Sequence, residues 1–311
     1  MMLTADRTGK VPLFTSLPPA LVRPDKSGRD IGPEYQLACI RSWIDAGFRP
    51  ISVNGPDEQP PHQDLVEVMR TTRTTKELHG KPVVFIDDLF AIANQVTPGP
   101  VMIINADILL RPGFDLASLV ANLPADRALI ARRIDIEIPE SAEGEAFIGF
   151  DVFAASAARL TEIPNSDFAF GLPWWDSYVP AQLHMSGLES AAGTPHFAYH
   201  LKHADRYDWD SWIKLGIGYA ERFSNTKSGD KWICEHSDIS KHVLRQAHAM
   251  RPWQSTIALA KAVNAKAGDR VENFLNRRLR KSLRRLAHHS SRMIGETFAC
   301  ERTNQRPKSP G

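Results

Sequence analysis

The chain has 311 residues, of which 42% are hydrophobic, 24% charged and 8% aromatic. That composition excludes a disordered chain, a coiled coil, a collagen-like rod and a disulfide-stapled miniprotein, and the length suits one large α/β domain or two small ones. The net charge of +2 conceals an asymmetry: residues 265–311 hold 12 Lys and Arg against 4 Asp and Glu, whereas the other 264 hold 26 against 32. A mildly acidic body with a basic tail marks an appendage that meets phosphates, acidic lipids or nucleic acid.

In chain order, Val11–Leu17 reads as a first strand ended by Pro18-Pro19. From Glu34 the apolar positions Leu37, Ile40, Trp43 and Ile44 follow helical spacing up to a C-cap at Gly47. Pro50–Asn54 is a short strand before the Gly55-Pro56 turn, and residues 64–70 read as a helix. Val83–Ile86 is a buried strand, with Asp87 or Asp88 capping the helix that follows. Val101–Ile104 is the next buried strand and runs into Asn105-Ala106-Asp107. A helix over Asp115–Asn122 then leads to a strand at Ala128–Ala131.

Continuous apolar runs of four or five residues between helix-length segments predict a mainly parallel sheet covered on both faces. No G-x-G-x-x-G and no Walker A loop occurs. Beyond residue 140 the texture is more aromatic. Ala146–Ala154 and Pro195–Leu201 read as strands, Phe168–Tyr178 carries two tryptophans, and 205–220 reads as helical. Residues 242–262 read as further helix interrupted at Pro252, and Thr303–Gly311 as disordered tail.

The residues with chemistry begin at Asn105-Ala-Asp107. In an open α/β sheet ligands gather outside the carboxyl ends of the strands, and an acid just past an apolar strand is placed to hold Mg²⁺ or Mn²⁺ against phosphates. Alone, the same residues also suit a turn. Gly171-Leu-Pro-Trp174-Trp175-Asp176 is the second candidate, because indoles have flat apolar faces that stack on sugar rings and an adjacent carboxylate suits a general base. Core packing and helix capping explain it as well. His196, His200 and His203 fall in a strand-like stretch, where residues four apart lie roughly 13 Å apart, so at most one is expected to ligate an ion. Asn54, past the second strand, is placed to meet a base or ribose, although its Asn-Gly-Pro turn accounts for it too. At Asp87-Asp88 capping is the stronger reading.

Several segments together resemble the GT-A-fold glycosyltransferases, in particular bacterial proteins of surface-polysaccharide type. They are Ser42-Trp-Ile-Asp-Ala-Gly-Phe48 leading into Ile51–Asn54, Ile104-Asn-Ala-Asp-Ile108, Gly149-Phe-Asp-Val-Phe153, Phe170–Asp176 and His196–His203. The resemblance covers roughly residues 11–220. It implies a single GT-A-like (Rossmann-like) α/β domain over residues 1–240 with a mainly parallel central sheet, followed by a helical, basic C-terminal extension over 241–311. By resemblance Asp107 takes the second acidic position of the D-x-D motif that holds the metal and diphosphate of a nucleotide sugar. The first position is Asn105, a departure that brings no charge. Asp176 takes the place of the general base, Trp174 or Trp175 braces a sugar, Asn54 joins Asn105 and Asp107 in donor binding, and His200 or His203 adds a metal contact. The implied function is a Mg²⁺- or Mn²⁺-dependent transfer from a nucleotide-sugar donor to a glycan or lipid-linked acceptor. The alternatives are a non-catalytic GT-A-like protein that binds glycans or assembles partners, and, third, a sugar-nucleotide nucleotidyltransferase.

The tail repeats this choice on a smaller scale. Val271, Phe274, Leu275, Leu279, Leu283 and Leu286 form an apolar stripe with arginines between them. The stripe suits a docked terminal helix or a peripheral contact with an anionic membrane, while no nucleic-acid module accompanies it. No apolar run approaches the 18 residues of a membrane span, and residues 1–10 hold no signal-peptide core. Cys39, Cys234 and Cys300 have no close spacing, so the expected setting is a reducing cytoplasm, at the inner membrane face if the tail binds there.

Overall fold

Strand β1 (Pro12–Thr15) is buried along its whole length and pairs in parallel with β2 (Arg49–Asn54) on one side and β4 (Pro100–Ile104) on the other. Runs such as Val101–Ile104 have no polar face because both sides of these central strands are covered. The computed structural model describes residues 9–191, 197–203, 209–250 and 276–304, with positions 266, 269 and 272 between. Its strand order is β3-β2-β1-β4-β7-β6-β9-β5, with β8 (Glu189–Ala191) paired to β6. Here β3 is Glu67–Arg70, β5 Ile108–Leu110, β6 Arg127–Ile136, β7 Glu145–Ser156 and β9 Ala198–Leu201.

Five of these eight strand pairings are parallel; β7 runs against both β4 and β6, and β5 against β9. The sheet is therefore mixed, though mainly parallel. The chain winds from β1 outward through β2 to β3 and resumes on the other side of β1 with β4. The carboxyl ends of β1 and β4 thus flank a topological switch point, where open α/β sheets hold ligands. Because β6 and β9 run parallel to β4, their carboxyl ends open on the same edge.

Two expected elements differ. Residues 67–70 form a strand rather than a helix: Val68 and Met69 are half-buried between exposed Glu67 and Arg70, and pairing with β2 satisfies the backbone of both strands. Val83–Ile86 is not a sheet strand. Its backbone pairs with Phe168–Phe170, through a bridge between Phe85 and Ala169, and Ile86 opens helix α3 (Ile86–Val96) after Lys76–His79 has formed α2. Asp87 and Asp88 lie in the first turn of α3, whose N-cap is Phe85. Asp87 accepts from the Ser166 backbone N at 2.8 Å, and Asp88 pairs with Arg73 at 2.7 Å.

Helix α1 (Gly32–Asp45) buries Tyr35, Cys39, Ile40 and Trp43 and leaves Leu37 and Ile44 half-buried, so its inner face is rotated from the simplest reading of the sequence. The Trp43 indole donates to the Ile108 carbonyl at 2.8 Å, fixing α1 against the turn after β4. Helix α4 (Leu116–Ala121) is capped by Asp115, which accepts from Ser118 N at 2.9 Å. One apolar cluster joins Leu13, Cys39, Trp43, Met102, Ile104, Leu116 and Val152. Helices α5 (Ala157–Leu160) and α6 (Trp175–Met185) follow β7.

The chain divides into two compact units, Met1–Arg206 with Thr297–Gly311, and Tyr207–Glu296. In the second, Tyr219 and Phe223 of α7 (Trp209–Phe223), His236 and Val243 of α8 (Lys231–Met250) and Leu279, Leu283 and Leu286 of α9 (Arg277–Asn304) are buried. The Tyr219 hydroxyl lies 2.9 Å from His236 Nε2 and 2.7 Å from Ser290 Oγ. Val271, Phe274, Leu275, Pro252, His196 and residues 305–311 lie outside the described residues, whereas Thr303 and Asn304 close α9. No helix among the described residues is long and apolar enough to cross a membrane.

Candidate active site

The turn Asn105–Asp107 leaves β4 at the switch point and re-enters the sheet as β5. Asn105 N donates to the Asp151 carbonyl at 3.1 Å, extending the β4·β7 ladder by one residue. The buried Tyr35 hydroxyl donates to the Asp107 carbonyl at 3.0 Å and accepts from Leu201 N at 2.8 Å, so one phenol joins this turn to the end of β9. Pairing of Ile108 with His200 across β5·β9 brings the imidazole beside Asp107.

His200 lies between two carboxylates. Its Nε2 is 3.3 Å from Asp107 Oδ2 and its Nδ1 is 3.0 Å from Asp135 Oδ1, the residue opposite it on β6. The ring of His203 stands 5.1 Å from that of His200, nearly perpendicular. One ligand atom from each of Asp107, His200 and His203 lies within 4.8 Å of the others. Strand spacing, the ground for expecting at most one histidine ligand, therefore does not hold His200 and His203 apart. The strand stops at Leu201, so His203 is free of the strand's geometry and turns back towards His200.

Arg23 completes this half of the site, with Nη2 2.5 Å from Asp107 Oδ2 and Nη1 donating to the Val22 carbonyl at 3.0 Å. It is held by a loop in which Asp30 accepts from Arg23 N and Ile31 N donates to the Arg23 carbonyl. The loop closes tightly on α1: a Cβ at Gly32 would fall 1.7 Å from the Leu21 carbonyl oxygen. Burial alone would raise the Asp107 pKa, but His200, Arg23 and Arg133 outweigh it and hold the carboxyl well below the usual range. Burial likewise works against His200 ionising, and Asp107 and Asp135 reverse it, raising its pKa.

Arg133 links this half to the next. The β6·β7 register slips on both sides of Arg132, between Ala131 and Arg132 and between Arg132 and Ile134, so Arg133 falls within the second slip, and such bulges re-aim side chains. Its guanidinium donates to Asp135 at 2.8 Å and Asp151 at 2.9 Å, and sits 3.9 Å from the Phe147 ring centroid. Asp151 also accepts from Asn105 Nδ2, which gives the Asn105 amide a defined orientation. Asp176 stands in the first turn of α6, behind Trp174 in a left-handed conformation (φ 77°). Burial, and then the Asp151 charge, push the Asp176 carboxyl up to about 7 against the pull of Arg133. Arg133 therefore acts electrostatically on both Asp107 and Asp176, which belong to one charged neighbourhood.

Other expected site residues have different surroundings. Trp174 and Trp175 are each 3% exposed, and Trp175 packs between Phe153 and Phe170, so neither indole has an open face for a sugar ring. Asn54 is fully buried: it donates to the Leu17 carbonyl at 2.9 Å and accepts from Ser52 Oγ at 2.6 Å, tying the end of β1 to β2 rather than meeting a donor. Sequence reasoning missed Arg23, Arg133, Asp135 and Asp151. The available signal was charge inside otherwise apolar strands, in Arg132-Arg-Ile-Asp135 and Phe150-Asp-Val152.

Gly149 has a role that composition does not reveal. A Cβ there would lie 3.0 Å from Asp176 Oδ2 and 2.5 Å from Phe147 Cε1. Gly149→Ala is expected to lower stability by about 1–3 kcal/mol through this overpacking, measured by urea unfolding, with the Asp176 titration displaced as the carboxyl is pushed aside.

No protein-family model and no curated protein matches the chain. Among solved structures, HddC from Yersinia pseudotuberculosis aligns at 11% identity and a TM-score of 0.33, covering 62% of this chain and 89% of that one. The same protein complexed with GMP-PN gives the same values. The inositol-1-phosphate CTP transferase from T. maritima aligns at 12% identity and a TM-score of 0.39, covering 65% and 93%. At these values the matches carry no statement about activity, which must be sought in the side chains.

Proposed function

We propose that the protein is a metal-dependent glycosyltransferase that uses a nucleotide-diphosphate-activated sugar. The reading is carried by the Asp107–His200–His203 cluster at the carboxyl ends of β4 and β9, beside the switch point of the sheet. Its donors fit a divalent ion: two imidazoles and one carboxylate, with Asp135 behind His200 in the position from which an outer carboxylate orients a ligating histidine. Two nitrogen donors favour Mn²⁺ over Mg²⁺, which prefers oxygen alone. A bound ion would supply positive charge against the departing diphosphate.

The chain's own groups have complementary tasks. Arg23 is 7% exposed and its Nε has no hydrogen-bond partner among the described residues, so a phosphate oxygen would satisfy a buried donor next to Asp107. Arg133 balances Asp135 and Asp151 and keeps Asp176 from rising further. A carboxyl that titrates near 7 suits Asp176 to take the proton from an acceptor hydroxyl at neutral pH. The acceptor is a glycan or lipid-linked sugar, in assembly of a surface polysaccharide.

The rival reading is a non-catalytic protein of the same fold. It has one specific observation in its favour: Arg23 already pairs with Asp107, and His200 stands between Asp107 and Asp135 with its pKa raised, an arrangement that balances charge without any ion. Calorimetric titration with UDP, GDP, dTDP and CDP, each with and without Mn²⁺, separates the two readings. Metal-dependent binding of one nucleotide by the wild type, abolished in Asp107→Ala, is the expected result. Failure of all four to bind would give the site to the rival reading.

A further inference from the structure

Helix α9 has two faces of opposite chemistry. Leu279, Leu283 and Leu286 are buried, whereas Arg277, Arg278, Lys281, Arg284, Arg285 and Arg292 are exposed. At 100° per residue these six cations fall within about 120° of arc and span about 22 Å of helix axis. The stretch from Arg277 to Arg292 contains no acid. Like charges one turn apart, as at Arg277 with Lys281 and Lys281 with Arg285, weaken a helix on their own. A row of one sign therefore points to a partner of the other.

Two neighbours of this row indicate the partner's chemistry. Trp209, at the start of α7, is 39% exposed, and the guanidiniums of Arg280 and Arg284 lie 5.0 and 5.5 Å from its ring. An exposed indole held among arginines suits the headgroup level of a bilayer, wet on one side and apolar on the other. Farther along, a recess of about 690 Å³ is lined by Arg285, His288 and Arg292 of α9 with Glu235 and Asp238 of α8. Those acids pair within α8, Glu235 with Lys231 at 3.9 Å and Asp238 with Lys241 at 3.2 Å, so the recess and its paired lysines together hold four cations against two acids.

We infer that the second unit docks on an anionic phospholipid surface, with α9 along the headgroup phosphates, Trp209 at the interface and one phosphate in the recess. Single-stranded nucleic acid fits less well, since such binders interleave several aromatic platforms along a groove, and Trp209 is the one exposed tryptophan among the described residues. The inference does not depend on the chemistry of the carboxylate–imidazole cluster.

The test is co-sedimentation of the full chain with vesicles of phosphatidylcholine containing about 30% phosphatidylglycerol, against phosphatidylcholine alone and against single- and double-stranded RNA. Binding to the anionic vesicles only, weakened by salt, is expected. The variant Lys281→Gln/Arg284→Gln/Arg285→Gln leaves the buried leucines untouched and is expected to bind on the order of 100-fold more weakly. The charge-preserving Lys281→Arg/Arg284→Lys/Arg285→Lys should bind like wild type. Unchanged binding by the glutamine variant, equal binding to neutral vesicles, or tighter binding to RNA would each overturn the inference, and the last would assign the face to nucleic acid.

Discussion

Asp176→Asn is expected to make the protein more stable and less active at once. The Asp176 carboxyl is raised from 3.8 to about 7, chiefly by burial. The unfolded chain therefore releases this proton near pH 4, while the folded chain holds it until about pH 7. Between those values the unfolded state gains relative to the folded one, and above pH 7 the full loss of stability is present. An asparagine has no proton to lose and keeps an oxygen for the helix N-terminus, so the gain should be absent below about pH 4 and complete above pH 7. At 1.36 kcal/mol per unit, and discounted for partial exposure, the gain is about 2–3 kcal/mol, or roughly 5–10 °C in Tm. Turnover, by contrast, should fall by about 10²–10⁴ if the carboxylate removes the acceptor's proton. Thermal melts of both proteins across pH 4–9 read the first effect, and a Tm difference that does not change with pH would refute the raised carboxyl. Wild-type turnover should rise through about pH 7 as Asp176 ionises.

How much of this was legible in the sequence follows from the range of the interactions. The central strands were readable because burial on both faces leaves Val101–Ile104 wholly apolar, a signal contained in the segment itself. The N-x-D turn at its end was readable for the same reason. Residues 64–70 and 83–86 were misread because partners distant in sequence decide them: β2 captures the first, and Phe168–Phe170 the second. The rest of the site is non-local in the same sense. Asp135 meets His200 across 65 residues and Asp151 meets Asn105 across 46, and no spacing rule carries such pairs. The bulge that aims Arg133 is a property of two strands in register, not of either alone. The tryptophans misled for a simpler reason. The flat apolar faces that suit a sugar ring suit core packing equally, and Phe153 and Phe170 bury Trp175.

His203→Ala should separate the metal site from the fold more cleanly than any change at Asp107. Removing the Asp107 carboxylate strands Arg23, whose side chain is 8% exposed, and breaking a buried pair from one side costs about 3–5 kcal/mol. Loss of binding in Asp107→Ala thus has two explanations. His203 is half-buried, and the Arg23–Asp107–His200–Asp135–Arg133 chain of contacts runs without it. Its removal takes one of three donors and leaves that chain standing. Titration of Mn²⁺ followed by the electron-spin signal of the free ion should show His203→Ala weakened by at least about 100-fold, with a smaller loss of unfolding free energy in urea than Asp107→Ala shows. Asp135→Asn gives the graded counterpart: the imidazole stays but loses the carboxylate that orients it, a change worth about 10–100-fold in affinity. Equal Mn²⁺ binding by wild type and His203→Ala would mean that the two histidines meet for packing alone. The carboxylates would then be a structural charge network built around Arg133, and the catalytic reading would lose its centre.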